Sequence, residues 1–315
     1  MSLVAGCASQ KDSQVRFDQG AYNQILERQK AGLAIEEDTL TKLPEMGGGE
    51  YERLGDFHAQ QNNLALALVQ YNKALEAAPT QVGIRYKVGL LLLKQGLPDK
   101  AYEQFEELLR SETQAALAYE GMGQAHFQMG NDRAAEREFR QALALDSKLW
   151  KSHNFLGILY DRQNRYREAI VEYQAGLTLK PDDAALHNNL GLAYYLVGQY
   201  EDAIHSFQQA SLRGASQPKI HNNLALAYAK LKRYSDALEA FKKGADGAQA
   251  YNNLGTVYLG SDNPRKAVAC FQKAIELQPR YYAKANENLA VAQQTLANSS
   301  APMNGVDGKD ADSCP

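Results

Sequence analysis

A pattern that returns almost unchanged after 34 residues decides the fold of this chain. Residues 187–204 read HNNLGLAYYLVGQYEDAI, and residues 221–238 read HNNLALAYAKLKRYSDAL. Self-similarity at a fixed period of this length is typical of repeat architectures. The pattern extends in both directions from these copies, and its frames begin near residues 48, 82, 116, 150, 184, 218 and 248.

Three positions of each frame, numbered from its first residue, keep one class of side chain. Position 8 is small in every frame: Gly55, Gly89, Gly123, Gly157, Gly191, Ala225 and Gly255. Position 20 is always alanine: Ala67, Ala101, Ala135, Ala169, Ala203, Ala237 and Ala267. Position 24 is always aromatic: Tyr71, Phe105, Phe139, Tyr173, Phe207, Phe241 and Phe271. At helical spacing, this pattern predicts a first helix whose small residue admits a second helix carrying the alanine and the aromatic ring.

These positions resemble the tetratricopeptide repeat (TPR), a helix–turn–helix unit of 34 residues. The resemblance covers residues 48–281, about three quarters of the chain. It implies an all-α, right-handed TPR solenoid of seven repeats, because one helix pair cannot bury its apolar surface without neighbours. We further expect a lipobox-like start and tether over 1–14, a helical segment and loop over 15–47, a capping helix over 282–297 and a disordered tail over 298–315.

One frame departs from the period. The repeat that begins at Pro218 lasts only 30 residues, and Gly244 and Gly247 stand where its second helix should finish. We therefore predict that this second helix is about one turn short.

Asparagines recur on the first helices, opposite the packed face. They are Asn154, Asn188, Asn222 and Asn252 at position 5, and Asn189, Asn223 and Asn253 at position 6. Asparagine is a mediocre helix former, but its amide offers donors and an acceptor to a peptide backbone. The row resembles the asparagine ladder of O-GlcNAc transferases, which implies a groove for a partner segment with Leu192 and Tyr195 as apolar contacts. The alternative is that duplication copied the asparagines without a function.

Other function classes find little support. The net charge is −3 with both signs well mixed, which argues against a nucleic-acid partner. No phosphate-binding, dinucleotide-binding or hydrolase motif is found, so we expect neither enzyme activity nor a cofactor. His153, His187 and His221 recur at position 4, but stacked repeats would hold them too far apart to share one metal ion, and we predict no metal site.

The N-terminal residues carry a second motif. Val4-Ala5-Gly6-Cys7 resembles a bacterial lipobox, in which the cysteine is lipidated. The alternative is an ordinary disordered start. If the resemblance holds, Cys7 anchors an outer-membrane lipoprotein that faces the periplasm, where Cys270 and Cys314 could form a disulfide.

The TPR pattern with a possible lipid anchor is similar to TadD-type and pilotin TPR lipoproteins of pilus assembly. This resemblance implies a scaffold that holds a protein or peptide segment during pilus or secretion assembly. Two alternatives are a cytosolic TPR adaptor and an adaptor for cell-wall enzymes.

Overall fold

The computed structural model describes residues 46–79, 82–110, 114–214, 217–278, 283–298 and 313–315. Every regular element in these ranges is an α-helix, and there are fifteen of them. By its internal contacts the chain divides into two units, with the boundary after Pro79. The expected tether over 1–14 and nearly all of the segment over 15–47 lie outside the described residues.

The first unit contains one helix pair, α1 (Gly48–Gln60) and α2 (Leu64–Ala77). The ring of Tyr71 lies directly against Gly55, where an added Cβ atom would come within 2.4 Å of the ring. The Tyr71 hydroxyl donates a hydrogen bond of 2.8 Å to Asp56 on the facing helix. The first repeat therefore forms the helix pair that its small and aromatic positions predict.

The second unit contains the remaining thirteen described helices. They are α3 (Val82–Lys94), α4 (Pro98–Leu109), α5 (Ala115–Gln128), α6 (Asp132–Leu145), α7 (Trp150–Arg162), α8 (Tyr166–Leu179), α9 (Ala184–Leu196), α10 (Tyr200–Arg213), α11 (Pro218–Lys230), α12 (Tyr234–Gly244), α13 (Gly247–Gly260), α14 (Pro264–Leu277) and α15 (Ala283–Asn298). Within this unit, helices that follow one another in the chain pack together, and the successive first helices α3, α5, α7, α9 and α11 also contact one another. The unit is thus a stack of helix–turn–helix repeats, which confirms the predicted all-α fold class.

Contact between a small residue and an aromatic ring holds each pair together. A Cβ atom on Gly191 would lie 2.7 Å from the Phe207 ring, and one on Gly157 would lie 2.4 Å from the Tyr173 ring. Real Cβ atoms do not approach so closely, so glycine is needed for the ring to fit. The alanine at position 20 is fully buried in all seven frames. The roles predicted for positions 8, 20 and 24 are confirmed.

The turn within each repeat requires a left-handed backbone at position 15. In three frames this residue is glycine, and Lys232 adopts the same conformation with a φ of 59°. The other non-glycine residues with positive φ at this position are Asn62, Asn164 and Asp262. Asparagine and aspartate tolerate this region better than other non-glycine residues, so the turn imposes a sequence preference that the repeat comparison did not reveal.

The short repeat is confirmed. Helix α12 has 11 residues, whereas α10 and α14 have 14 residues each. It ends at Gly244, which lies so close to the start of α11, the first helix of the same repeat, that an added Cβ atom would be 3.0 Å from the Pro218 carbonyl oxygen. Compared with its neighbours, the second helix of this repeat has therefore lost about one turn.

Most of the predicted disordered tail over 298–315 lies outside the described residues, and its disorder stays a prediction. Asn298 is the last residue of α15, and Cys314 forms a disulfide with Cys270 of α14. Cys270 is fully buried, and Cys314 packs against the same hydrophobic core. Composition alone did not indicate this covalent link between Cys314 and the core.

None of the helices in the described ranges combines the length and apolar character needed to cross a bilayer.

Replacing Gly191 with alanine should lower the free energy of unfolding by about 1–3 kcal/mol, because the added methyl group overpacks the Phe207 ring. Urea unfolding followed by circular dichroism measures the change. Gly83→Ala is the matched control, since a Cβ atom there meets no heavy atom within 4 Å; we expect it to leave stability unchanged or to raise it. Equal stability of the two variants would contradict the packing role of position 8.

Candidate partner-binding groove

Asparagines of successive first helices bond to one another. The Asn189 amide of α9 donates to the Asn154 side-chain oxygen of α7 at 3.1 Å. One repeat later, Asn223 of α11 donates to Asn188 of α9, also at 3.1 Å. The structure therefore brings together four of the seven predicted ladder residues and gives them a role between repeats.

These bonds leave part of each amide unused. A side-chain amide has two donors and a carbonyl with two lone pairs, and each asparagine of the two pairs spends one donor or one acceptor on its neighbour. All four side chains are partly exposed. The surface formed by Asn154, Asn188, Asn189 and Asn223, which we call the groove face, can therefore tie repeats together and still bond to a partner.

Asn252 corrects the predicted set. It is only 3% exposed, and its side-chain oxygen accepts a 2.9 Å hydrogen bond from Asn288 of α15. It joins the last repeat to the capping helix, so it is not available to a partner. The helical wheel could not distinguish it from Asn188, because the difference arises from the neighbouring helix.

Asn222 and Asn253 both line a cavity at the shortened repeat. Neither side chain has a hydrogen-bond partner among the described residues, unlike the regular pairs. Lys219 and Gln249 also line this cavity, and the sequence comparison did not single out either of them. Their irregular position next to the missing turn is the signal that could have indicated them.

Leu192 and Tyr195 lie on the same face of α9 as Asn188. Leu192 is 36% exposed. The Tyr195 ring meets Tyr200 edge-on at 5.6 Å between centroids, and the Lys230 ammonium lies 6.0 Å from its centre. Apolar contact between these two residues and a partner stays a prediction.

A different polar contact joins the earlier repeats. Glu120 of α5 is 2% exposed and accepts hydrogen bonds from Tyr86 of α3 at 2.7 Å and from Ser152 of α7 at 3.0 Å. Burial and the Glu120 carboxylate raise the pKa of Tyr86 above its ordinary value. A buried carboxylate links three repeats here, where the later repeats use asparagine pairs.

The three recurring histidines have separate environments. His153 lies 2.7 Å from Glu172, and the His187 ring donates to the Pro181 carbonyl at 2.8 Å. His221 has Ala240 at the position equivalent to Glu172, and its Nδ1 atom is buried without a partner in the described ranges. Burial lowers the pKa of His187 and of His221.

Metal-ligating side chains do not converge in the part of the chain that the structure describes, where no group of three or more histidines, cysteines and acidic residues is placed to hold an ion.

Asn189→Ala should lower the free energy of unfolding by about 1 kcal/mol, because it removes the bond to Asn154 between two repeats. Asn253→Ala is the matched control and should not destabilise the chain, since Asn253 has no such bond and alanine favours the helix. Urea unfolding of both variants tests the difference. If Asn189→Ala is as stable as the control, the asparagine pairs do not hold the repeats together.

Family models of the tetratricopeptide repeat match most of the chain between residues 51 and 281. The matched ranges are 51–81, 86–149, 162–198, 188–253 and 248–281. No curated protein matches the chain.

Several solved structures have a similar architecture. The C-terminal part of a TPR repeat-containing protein from Cytophaga hutchinsonii is 20% identical, with a TM-score of 0.55 over 75% of this chain and 98% of its own. The pilF protein of Pseudomonas aeruginosa is 21% identical, with a TM-score of 0.52 over 67% and 97% of the two chains. A MamA crystal structure is 28% identical over 51% of this chain and 94% of its own, but its TM-score of 0.42 is too low to compare architectures.

At these identities the first two structures support the fold alone. The repeat models, the helix pairs and the small and aromatic positions agree over the same residues. The chain belongs to the tetratricopeptide repeat family.

Proposed function

We propose that this chain is a scaffold of the bacterial envelope that holds a segment of a partner protein along the groove face during pilus or secretion assembly. Its TPR repeats support a protein–protein interaction scaffold, and the TPR fold typically serves as a non-catalytic scaffold. Binding of a partner segment along the groove face and location in the envelope are proposed in addition to this general scaffold role.

The groove face is the observation that carries the proposal. Its amides retain donors and acceptors after bonding to one another, and they are partly exposed. Leu192 and Tyr195 add apolar surface beside them. A row of amides next to apolar contacts suits an extended segment, whose backbone needs partners for its N–H and C=O groups.

Two features support the envelope location. The disulfide between Cys270 and Cys314 is of a kind that persists in oxidising compartments such as the periplasm. The lipobox resemblance at Val4–Cys7 suggests a lipid anchor, although it lies outside the described residues. The proposed role in pilus or secretion assembly rests on the resemblance to TadD-type and pilotin lipoproteins.

Membrane fractionation of the native host, with mass spectrometry of the N-terminal peptide, tests the location. We expect a lipidated Cys7 in the outer-membrane fraction, and we expect Cys7→Ala to release the protein from that fraction. Unmodified protein in the cytosol would contradict the envelope location and favour a cytosolic TPR adaptor. Co-isolation with a cell-wall hydrolase instead of a pilus or secretion component would favour an adaptor for cell-wall enzymes.

Reduction of the disulfide should lower the free energy of unfolding by about 2–4 kcal/mol, because the bond closes a long loop that contains α15. Urea unfolding with and without a phosphine reductant measures this loss. Cys314→Ser is the control: it should show the lower stability under both conditions and should not respond to the reductant. Wild-type protein that unfolds at the same urea concentration as Cys314→Ser without reductant would contradict a stabilising bond.

A further inference from the structure

The ladder of asparagine pairs is interrupted at one step. Asn154 pairs with Asn189, and Asn188 pairs with Asn223, each across 35 positions of sequence. The equivalent residues of the next step are Asn222 and Asn253, which are only 31 positions apart because the repeat lacks four residues. No bond joins them, and within the described ranges each amide keeps all its donors and acceptors.

A cavity is lined by both of these unpaired asparagines. Its volume is about 320 Å³, near the lower end of the roughly 300–1,000 Å³ that ligand pockets span. It lies between α11 and α13, beside the early end of α12 at Gly244 and Ala245. The shortened helix therefore opens a space in the ladder as well as removing a turn.

Four of the eight residues that line the cavity have polar side chains. Asn222, Asn253 and Gln249 contribute carboxamides, and Lys219 contributes an ammonium group. Asn222 and Lys219 are exposed, and Asn253 is partly exposed. No acidic side chain is among the residues that line the cavity, and Lys219 has no ion-pair partner in the described part of the chain.

This chemistry selects a class of ligand. Paired carboxamides can donate to a carbonyl and accept from an amide N–H at the same time, and an extended peptide presents both groups. An unpaired ammonium group beside them favours an acidic side chain on that peptide. The two regular asparagine pairs are less suited to binding a peptide backbone, because their amides already bond to one another.

We infer that the gap between Asn222 and Asn253 is the main peptide-binding subsite of the groove. It takes the backbone of an extended partner segment between the two carboxamides and an acidic side chain of that segment beside Lys219. The inference rests on the proposed scaffold function and adds the site and the chemical character of the segment. The shortened repeat is accordingly a binding feature, since it leaves two amides free for a ligand.

The test uses random peptides displayed on phage and selected on the immobilised full chain. A synthetic, fluorescein-labelled copy of a selected peptide is then titrated with each variant, and the dissociation constant is measured by fluorescence anisotropy. Asn222→Ala/Asn253→Ala should weaken binding about tenfold or more through the loss of two amides. Its urea unfolding should match that of the wild type, because neither amide has a bond within the described chain.

Asn252→Ala/Asn288→Ala is the matched control. It removes an asparagine pair that bonds only within the protein, so peptide affinity should stay within about twofold of the wild type. Lys219→Gln should weaken binding severalfold at low salt, with a smaller effect at high salt because ions screen the exposed charge.

The possible results distinguish failure of the proposed subsite from failure of the proposed scaffold function. Peptides that bind the wild type and Asn222→Ala/Asn253→Ala with the same dissociation constant would overturn the subsite and leave the scaffold function intact. If Lys219→Gln binds as tightly as the wild type at low salt, the preference for an acidic side chain is wrong. If no displayed peptide binds the full chain, the proposed function and the subsite both fail.

Discussion

The rest of the structure depends on the close approach of a small residue on each first helix to an aromatic ring on the second. At Gly191 and Phe207 the separation leaves no room for a methyl group. Because the interior of a protein is close-packed, this contact sets the distance between the helices of a pair. The same contact recurs in the other frames of the second unit that have glycine at position 8, so it also sets the regular spacing of the repeats there.

Regular spacing in turn places polar side chains opposite one another. The two asparagine pairs between α7, α9 and α11 have the same donor–acceptor distance of 3.1 Å, as expected when equivalent residues meet at equivalent steps. Where the chain loses four residues, the pairing fails and a cavity forms. The asparagine pairs of the groove face therefore form where the spacing of the repeats is regular. The cavity forms where the shortened repeat interrupts that spacing.

The fold could be predicted from the sequence because side-chain volume and helical spacing, both of which are visible in the sequence, indicate the helix pairs. Ala203 and Phe207 recur in every frame as the same classes of residue, and helical spacing places them on one face. The site was harder to predict. The burial of Asn252 depends on Asn288 of the capping helix, and the link through Glu120 depends on three separate repeats. Such contacts follow from the stacking of the repeats and not from any one of them.

Site-specific photocrosslinking in the native host tests the central claim, that the groove face holds the partner, most directly. A benzophenone side chain would replace either Leu192, which lies beside the groove face on α9, or Val171, which is 62% exposed on the second helix α8. The account predicts that position 192 crosslinks to one contiguous segment of a single partner and that position 171 does not. Crosslinks to a partner protein from position 171 and none from position 192 would contradict this claim.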